Sequence, residues 1–126
     1  MQAYFVVFLG AGLGGALRHG VNLASARLFG GAFPFGTLAV NVIGGLAMGL
    51  LVGYFAFQGQ ASQSWRLFLT TGILGGFTTF SAFSLDAVLL WQRGEPGQAV
   101  VYVLVSLVGA IGGLALGLWG IRAFGA

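Results

Sequence analysis

Four long apolar stretches, at about 3–28, 36–57, 65–91 and 97–122, are separated by three short polar or turn-forming breaks. Each reaches the roughly 20 residues that an α-helix needs to cross about 30 Å of hydrocarbon. Inside lipid every backbone N–H and C=O must find a partner within the protein, so segments of this length are expected to be helical. The pattern predicts an all-α membrane protein of four transmembrane helices, forming one domain over residues 1–126 with no room for a second. In the breaks, Pro34 stops a helix among the aromatics of 29–35, residues 58–64 form the most polar stretch, and Pro96 is placed to open the last helix. Trp65, Trp91 and Trp119 fall near the ends of the proposed spans, where amphipathic rings favour the membrane interface.

Charge agrees with this reading. Only seven residues are charged: Arg18, Arg27, Arg66, Arg93, Arg122, Asp86 and Glu95. A soluble domain carries about 25% charged residues, so this chain cannot cover a water-facing surface. Its net charge of +3 comes from scattered arginines that make no nucleic-acid patch. The N-terminal residues 1–7 lack the charged region of a signal peptide, and the apolar run continues well past signal length, so the first segment is expected to be retained as a span. Without cysteine, and with His19 as the single histidine, the chain is poorly equipped for thiol, metal-assisted or acid/base catalysis, and an enzyme is not expected.

With four spans, the N-terminus, second loop and C-terminus share one side and carry Arg66 and Arg122, while the other two loops carry Arg27 and Arg93. Positive charge normally holds loops inside, so an even split gives no reason to choose an orientation. Insertion in both directions, and an antiparallel homodimer with its two-fold axis in the membrane plane, is the expectation. The alternative is a weak bias set by the first helix or by Arg18. Glycines at four-residue spacing, as in Gly45/Gly49/Gly53 and Gly109/Gly113/Gly117, suit close helix packing either within one subunit or between two.

Residues 70–84 of the third segment read TTGILGGFTTFSAFS. The adjacent glycines Gly75 and Gly76, followed by β-branched threonines, are poor helix material, and Ser81 or a threonine can cap a restarted helix. A break there would sit near the membrane midplane, where freed carbonyls line a cavity and are ready ligands for a small cation. A continuous helix, with hydroxyls bonded back to the preceding turn, is the alternative. Polar groups elsewhere in the spans are few. Thr37 and Asn41 lie one turn apart, as do Tyr102 and Ser106. With Ser81, Ser84 and the rings of Phe80 and Phe83, they make a set of neutral donors and positive aromatic edges suited to a small, strongly hydrogen-bonding anion. Local bonding within the helices is the competing role for each hydroxyl. Arg18, a costly charge inside the first span, is expected to point into the bundle, to meet backbone carbonyls or to draw an anion; the alternative is a structural role, holding helix ends together or snorkelling to the interface. Asp86 is expected to make a salt bridge or a helix-end contact.

The runs 14–19 (GGALRH), 35–44 (FGTLAVNVIG) and above all 72–84 (GILGGFTTFSAFS) resemble the CrcB/Fluc family of fluoride ion channels, in the family's order and over essentially the whole chain. The resemblance implies a dual-topology homodimer with two antiparallel fluoride pores in the bacterial inner membrane. By motif position, Phe80 and Phe83 are similar to the pore phenylalanines and Asn41 to the pore asparagine. The carbonyls of Gly75 and Thr78, from both subunits, would hold a central sodium ion. Thr37, Ser81, Ser84, Tyr102 and Ser106 would form the polar wall. Ala82 and Ala110 depart from the family, standing where many members have a hydroxyl. The implied activity is passive electrodiffusion: HF that enters as a neutral acid dissociates in the cytoplasm, and the trapped anion leaves down its gradient. A proton-coupled exporter of the small multidrug resistance type shares the four-span layout, but needs a buried carboxylate, for which Asp86 is the candidate. A structural subunit without transport is the third reading.

Overall fold

A computed structural model describes residues 1–58 and 61–125; Gly59 and Gln60 of the polar second loop lie outside the described residues. The described residues are helical, without strands. Helix α1 runs over Gln2–Phe29 and α2 over Phe35–Gln58. The third span comprises α3 (Gln63–Leu67), a π-helical segment (Phe68–Leu74), α4 (Gly75–Phe77) and α5 (Ser81–Gln92). Helix α6 covers Pro96–Gly125. Four stretches are long and apolar enough to cross a membrane: Gln2–Phe29, Phe35–Phe57, Gln63–Gln92 and Pro96–Phe124. Their ends fall within two residues of the boundaries expected from the apolar runs.

Local chemistry explains where helices begin and end. Pro34 donates no N–H of its own, but its carbonyl accepts the Leu38 N–H at the start of α2. Ser62 caps α3 by accepting the Trp65 N–H at 3.1 Å. At the end of α5 the chain turns through Gly94, whose φ of 82° is left-handed. The Glu95 N–H reaches the Leu90 carbonyl and the Gly94 N–H the Trp91 carbonyl, the paired bonds of a glycine-terminated helix end. Arg93 then donates from Nη2 to the Ala32 carbonyl at 2.6 Å, tying the first and third loops together at one end of the bundle.

The distribution of apolar surface is that of a protein in lipid. Phe5, Phe8, Leu17, Leu104, Ile111 and Leu116 are all exposed, while the buried core is small and centred on Phe83, Leu90, Ala99 and Tyr102. In water this outward apolar surface would be a severe aggregation hazard; in hydrocarbon it costs nothing.

Packing is organised by close backbone approach. Helix α2 runs along α6, and α1 packs against the π-helical segment and α4. A Cβ added at Gly49 would overlap the Leu114 carbonyl, and one at Gly14 the Ile73 carbonyl. Both contacts therefore need glycine in place, which gives part of the chain's glycine content a packing role.

Candidate functional site

Threonine hydroxyls compete with the backbone throughout the third span. Thr70 Oγ1 donates back to the Arg66 carbonyl at 2.7 Å, and Thr78 Oγ1 to the Leu74 carbonyl at 2.9 Å. Between them the Gly75 N–H reaches the Thr70 carbonyl five residues earlier, the wider π-helical spacing. Such π segments are rare and recur at functional positions. The expectation centred on Gly75 and Gly76, but both keep helical backbone, and Gly76 serves instead as a contact point, since a Cβ there would overlap the Ala11 carbonyl. Extended backbone comes at Thr78, with φ −90° and ψ 161°.

Asn41, from α2, meets the chain at this point. Its Nδ2 donates to the Thr79 carbonyl at 3.0 Å, and its Oδ1 accepts the Thr79 N–H at 2.9 Å. The two bonds pair the side-chain amide with the N–H and the C=O of one residue 38 positions away. Gly44, three residues further along α2, makes room for Thr78, whose Cγ2 occupies the space a Cβ there would need. Thr79 Oγ1 then accepts the Ala82 N–H at 3.1 Å, from the first turn of α5. From α1, Arg18 donates through Nε to the Gly76 carbonyl at 3.2 Å.

These elements enclose a cleft of about 490 Å³ between α2, the third span and α6. Asn41, Gly75, Thr78, Phe80, Phe83 and Ser106 all line it. Phe80 is 74% exposed and Phe83 only 7%, with ring centroids 5.6 Å apart and planes at 52°. Ser106 is 3% exposed, and its Oγ has no hydrogen-bond partner among the described residues. A buried hydroxyl left unpartnered costs about 1–3 kcal/mol.

Thr37, Ser81, Ser84, Tyr102 and Arg18 lie off the cleft lining. Ser84 Oγ is bonded back to the Phe80 carbonyl at 2.9 Å, the local role open to any hydroxyl in a helix. Ser81 Oγ sits 3.5 Å from Thr79 Oγ1. Tyr102 is fully buried beside Phe83, 5.3 Å between centroids, and donates its hydroxyl to Asp86 Oδ2 at 3.2 Å. Thr37 is a second polar neighbour of that hydroxyl. Asp86 thus meets a phenol, where a salt bridge or helix-end contact was expected. His19 is exposed on α1. Of the groups expected to cap a restarted helix, Ser81 or a threonine, it is Thr79, just before the Phe80 N-cap position, whose hydroxyl accepts an N–H of the first turn of α5.

Among the described residues no group of three or more His, Cys, Asp or Glu side chains is placed to hold a metal. Oxygen ligands for a hard cation in the cleft would come from backbone carbonyls and neutral side-chain oxygens. Asn41 and Thr79 matter here, because in a continuous helix the Thr79 N–H would close on the Gly75 carbonyl and the Ala82 N–H on the Thr78 carbonyl. Both donors are engaged elsewhere.

Four apolar helices with outward-facing hydrophobic surface, around a cleft of neutral donors and aromatic rings, define a multi-pass membrane protein of the small-ion-handling kind. Residues 5–118 match the family described as CrcB-like protein, Camphor Resistance (CrcB), and the chain belongs to that family. It is 64% identical over 120 residues to a fluoride-specific ion channel FluC of Methylobacterium nodulans, covering 95% of this chain and 96% of that one. It is 60% identical over 122 residues to a protein of the same name from Rhodopseudomonas palustris strain BisB5, covering 97% and 98%. A third relative, fluoride-specific ion channel FluC 2 of Nitrobacter hamburgensis, is 57% identical over 115 residues, covering 91% and 93%.

Proposed function

We propose that this chain is a fluoride-selective channel of the bacterial cytoplasmic membrane, letting cytoplasmic fluoride leave passively down its electrochemical gradient and so conferring fluoride resistance. The observation that carries this reading is the convergence of Asn41, Phe80, Phe83 and the unpartnered Ser106 hydroxyl on one cleft. Fluoride is small and strongly hydrated, and a pore must replace its water with fixed donors that do not bind too tightly for release. One Asn41 N–H is taken by Thr79, which leaves the second for an anion. The Ser106 O–H and the positive edges of the two phenylalanines complete a neutral set. Arg18 is tied to the Gly76 carbonyl off the lining, so no charged side chain lines the cleft. Thr37, Tyr102, Ser81 and Ser84 lie off the cleft lining, and the Tyr102 ring packs against Phe83, 5.3 Å between centroids. Asp86, bonded to Tyr102 and off the cleft, is badly placed for a proton-coupled exporter.

The functional unit in this reading is an antiparallel dual-topology homodimer. The even arginine split supports insertion both ways. The exposed Phe80 ring and Gly75 suit burial against a second copy. The third span would be broken at midplane. Residues 63–77 cover about 22 Å and 81–92 about 18 Å at 1.5 Å per residue, and neither piece crosses alone. The Gly75 and Thr78 carbonyls, released from their helical donors and lining the cleft, fit sodium as oxygen ligands, two from each copy. When bound, the ion would hold the two third spans together and supply a fixed positive charge.

Fluoride efflux from liposomes containing the purified protein, with chloride as the control ion, tests the reading. Rapid fluoride loss with chloride retained is expected; no fluoride movement, or equal chloride passage, overturns it. C-terminal reporter fusions should be active on both sides of the membrane, and a one-sided signal removes dual insertion.

A further inference from the structure

We infer that Asn41 and Thr79 are positioning residues for the cation site, and that Asn41 thereby serves both ions. The inference rests on the sodium reading above and goes beyond it by naming what keeps the two carbonyls open. A helical carbonyl is satisfied by the N–H four residues on, and a satisfied carbonyl is a poor cation ligand. Asn41 Oδ1 takes the Thr79 N–H that would close on Gly75, at 2.9 Å. Thr79 Oγ1 takes the Ala82 N–H that would close on Thr78, at 3.1 Å. Between them, the Gly76 carbonyl is engaged by Arg18 Nε instead.

The two diversions are linked. Asn41 Nδ2 also holds the Thr79 carbonyl, so the same side chain fixes the peptide groups on either side of Thr79 and with them the hydroxyl that accepts the Ala82 N–H. Asn41 lines the cleft beside Phe80 and Phe83. One of its N–H groups and its oxygen are committed to the backbone that frees the cation ligands. The other N–H is left for the anion. A change at Asn41 therefore disturbs both ions, whereas a change at the Thr79 hydroxyl acts on the cation site through the Thr78 carbonyl.

The test uses the full-length protein in detergent, with its unfolding midpoint followed as sodium chloride replaces N-methylglucamine chloride at constant ionic strength. A ligand that binds only the folded protein stabilises it in proportion to ln(1 + [Na⁺]/Kd), so the titration yields a half-saturating concentration for each variant, relative to its own sodium-free midpoint. Loss of intrinsic stability by itself leaves that concentration unmoved. The wild type should show a saturable, sodium-specific rise. Thr79→Val, which keeps the shape and removes the acceptor, should raise the half-saturating sodium by about fivefold to tenfold, the worth of one hydrogen bond competing for a carbonyl. Thr79→Ser should restore it. Asn41→Ala should shift it at least as far, and if that variant does not fold the Thr79 pair decides. A sodium response of the wild type that Thr79→Val leaves at the same half-saturation overturns the positioning role while the cation site stands. No sodium-specific response in the wild type overturns the cation site and this inference with it.

Discussion

The α2/α6 pair and the third span use the same packing device and end in different states. In both, glycines let backbones approach until a methyl group would not fit: Gly45 and Gly49 against the Ala110 and Leu114 carbonyls, Gly14 and Gly76 against Ile73 and Ala11. Helices α2 and α6 remain continuous over 24 and 30 residues. In the third span the backbone turns extended at Thr78, with φ −90° and ψ 161°. Glycine is therefore not what opens the backbone. The difference is the set of polar groups that outbid the helical carbonyls for N–H donors, Asn41 for Thr79 and Thr79 for Ala82.

The strongest way to break this comparison is to attack the shared device. Gly14→Val and Gly49→Val each force a side chain into a backbone carbonyl, and each should cost about 3 kcal/mol, enough to remove the monodisperse folded peak in size-exclusion chromatography. A folded Gly49→Val beside a lost Gly14→Val would mean that the two contacts are not equivalent. Next in size is Phe83→Ile, which should nearly abolish fluoride efflux from liposomes while the protein keeps its elution volume, because the change falls on the cleft and spares both glycine contacts; retained efflux would remove the ring from the pore. Ser106→Ala is subtler. The hydroxyl has no protein partner to lose, so the unfolding midpoint should hold or rise by the equivalent of up to about 1 kcal/mol while fluoride efflux falls. Unchanged efflux would make the orphan hydroxyl a packing defect of α6. The smallest effect belongs to Gly20→Ala, where nothing lies within 4 Å of the added methyl. Helix propensity alone should then act, raising stability by up to about 1 kcal/mol in thermal unfolding.

The four spans were legible because apolar run length is a one-dimensional property, and Pro34, Pro96 and Gly94 act on their immediate neighbours. The candidate cleft was legible in part. Residue type pointed to Asn41, Phe80, Phe83 and Ser106, since neutral donors and rings are scarce polar features in so apolar a chain. Type did not separate these from Ser84, whose hydroxyl is bonded back to Phe80, or from Tyr102, whose hydroxyl goes to Asp86. All are good donors, and only their neighbours decide whether they are free.

Sequence alone therefore determined the lipid environment, the number of helices and the short menu of groups able to handle an ion, because each follows from composition or local propensity. Tertiary structure decided where backbone in the third span stops being helical, two to three residues past the glycine pair. That point is set by an amide on another helix, 38 residues away, which no local pattern encodes.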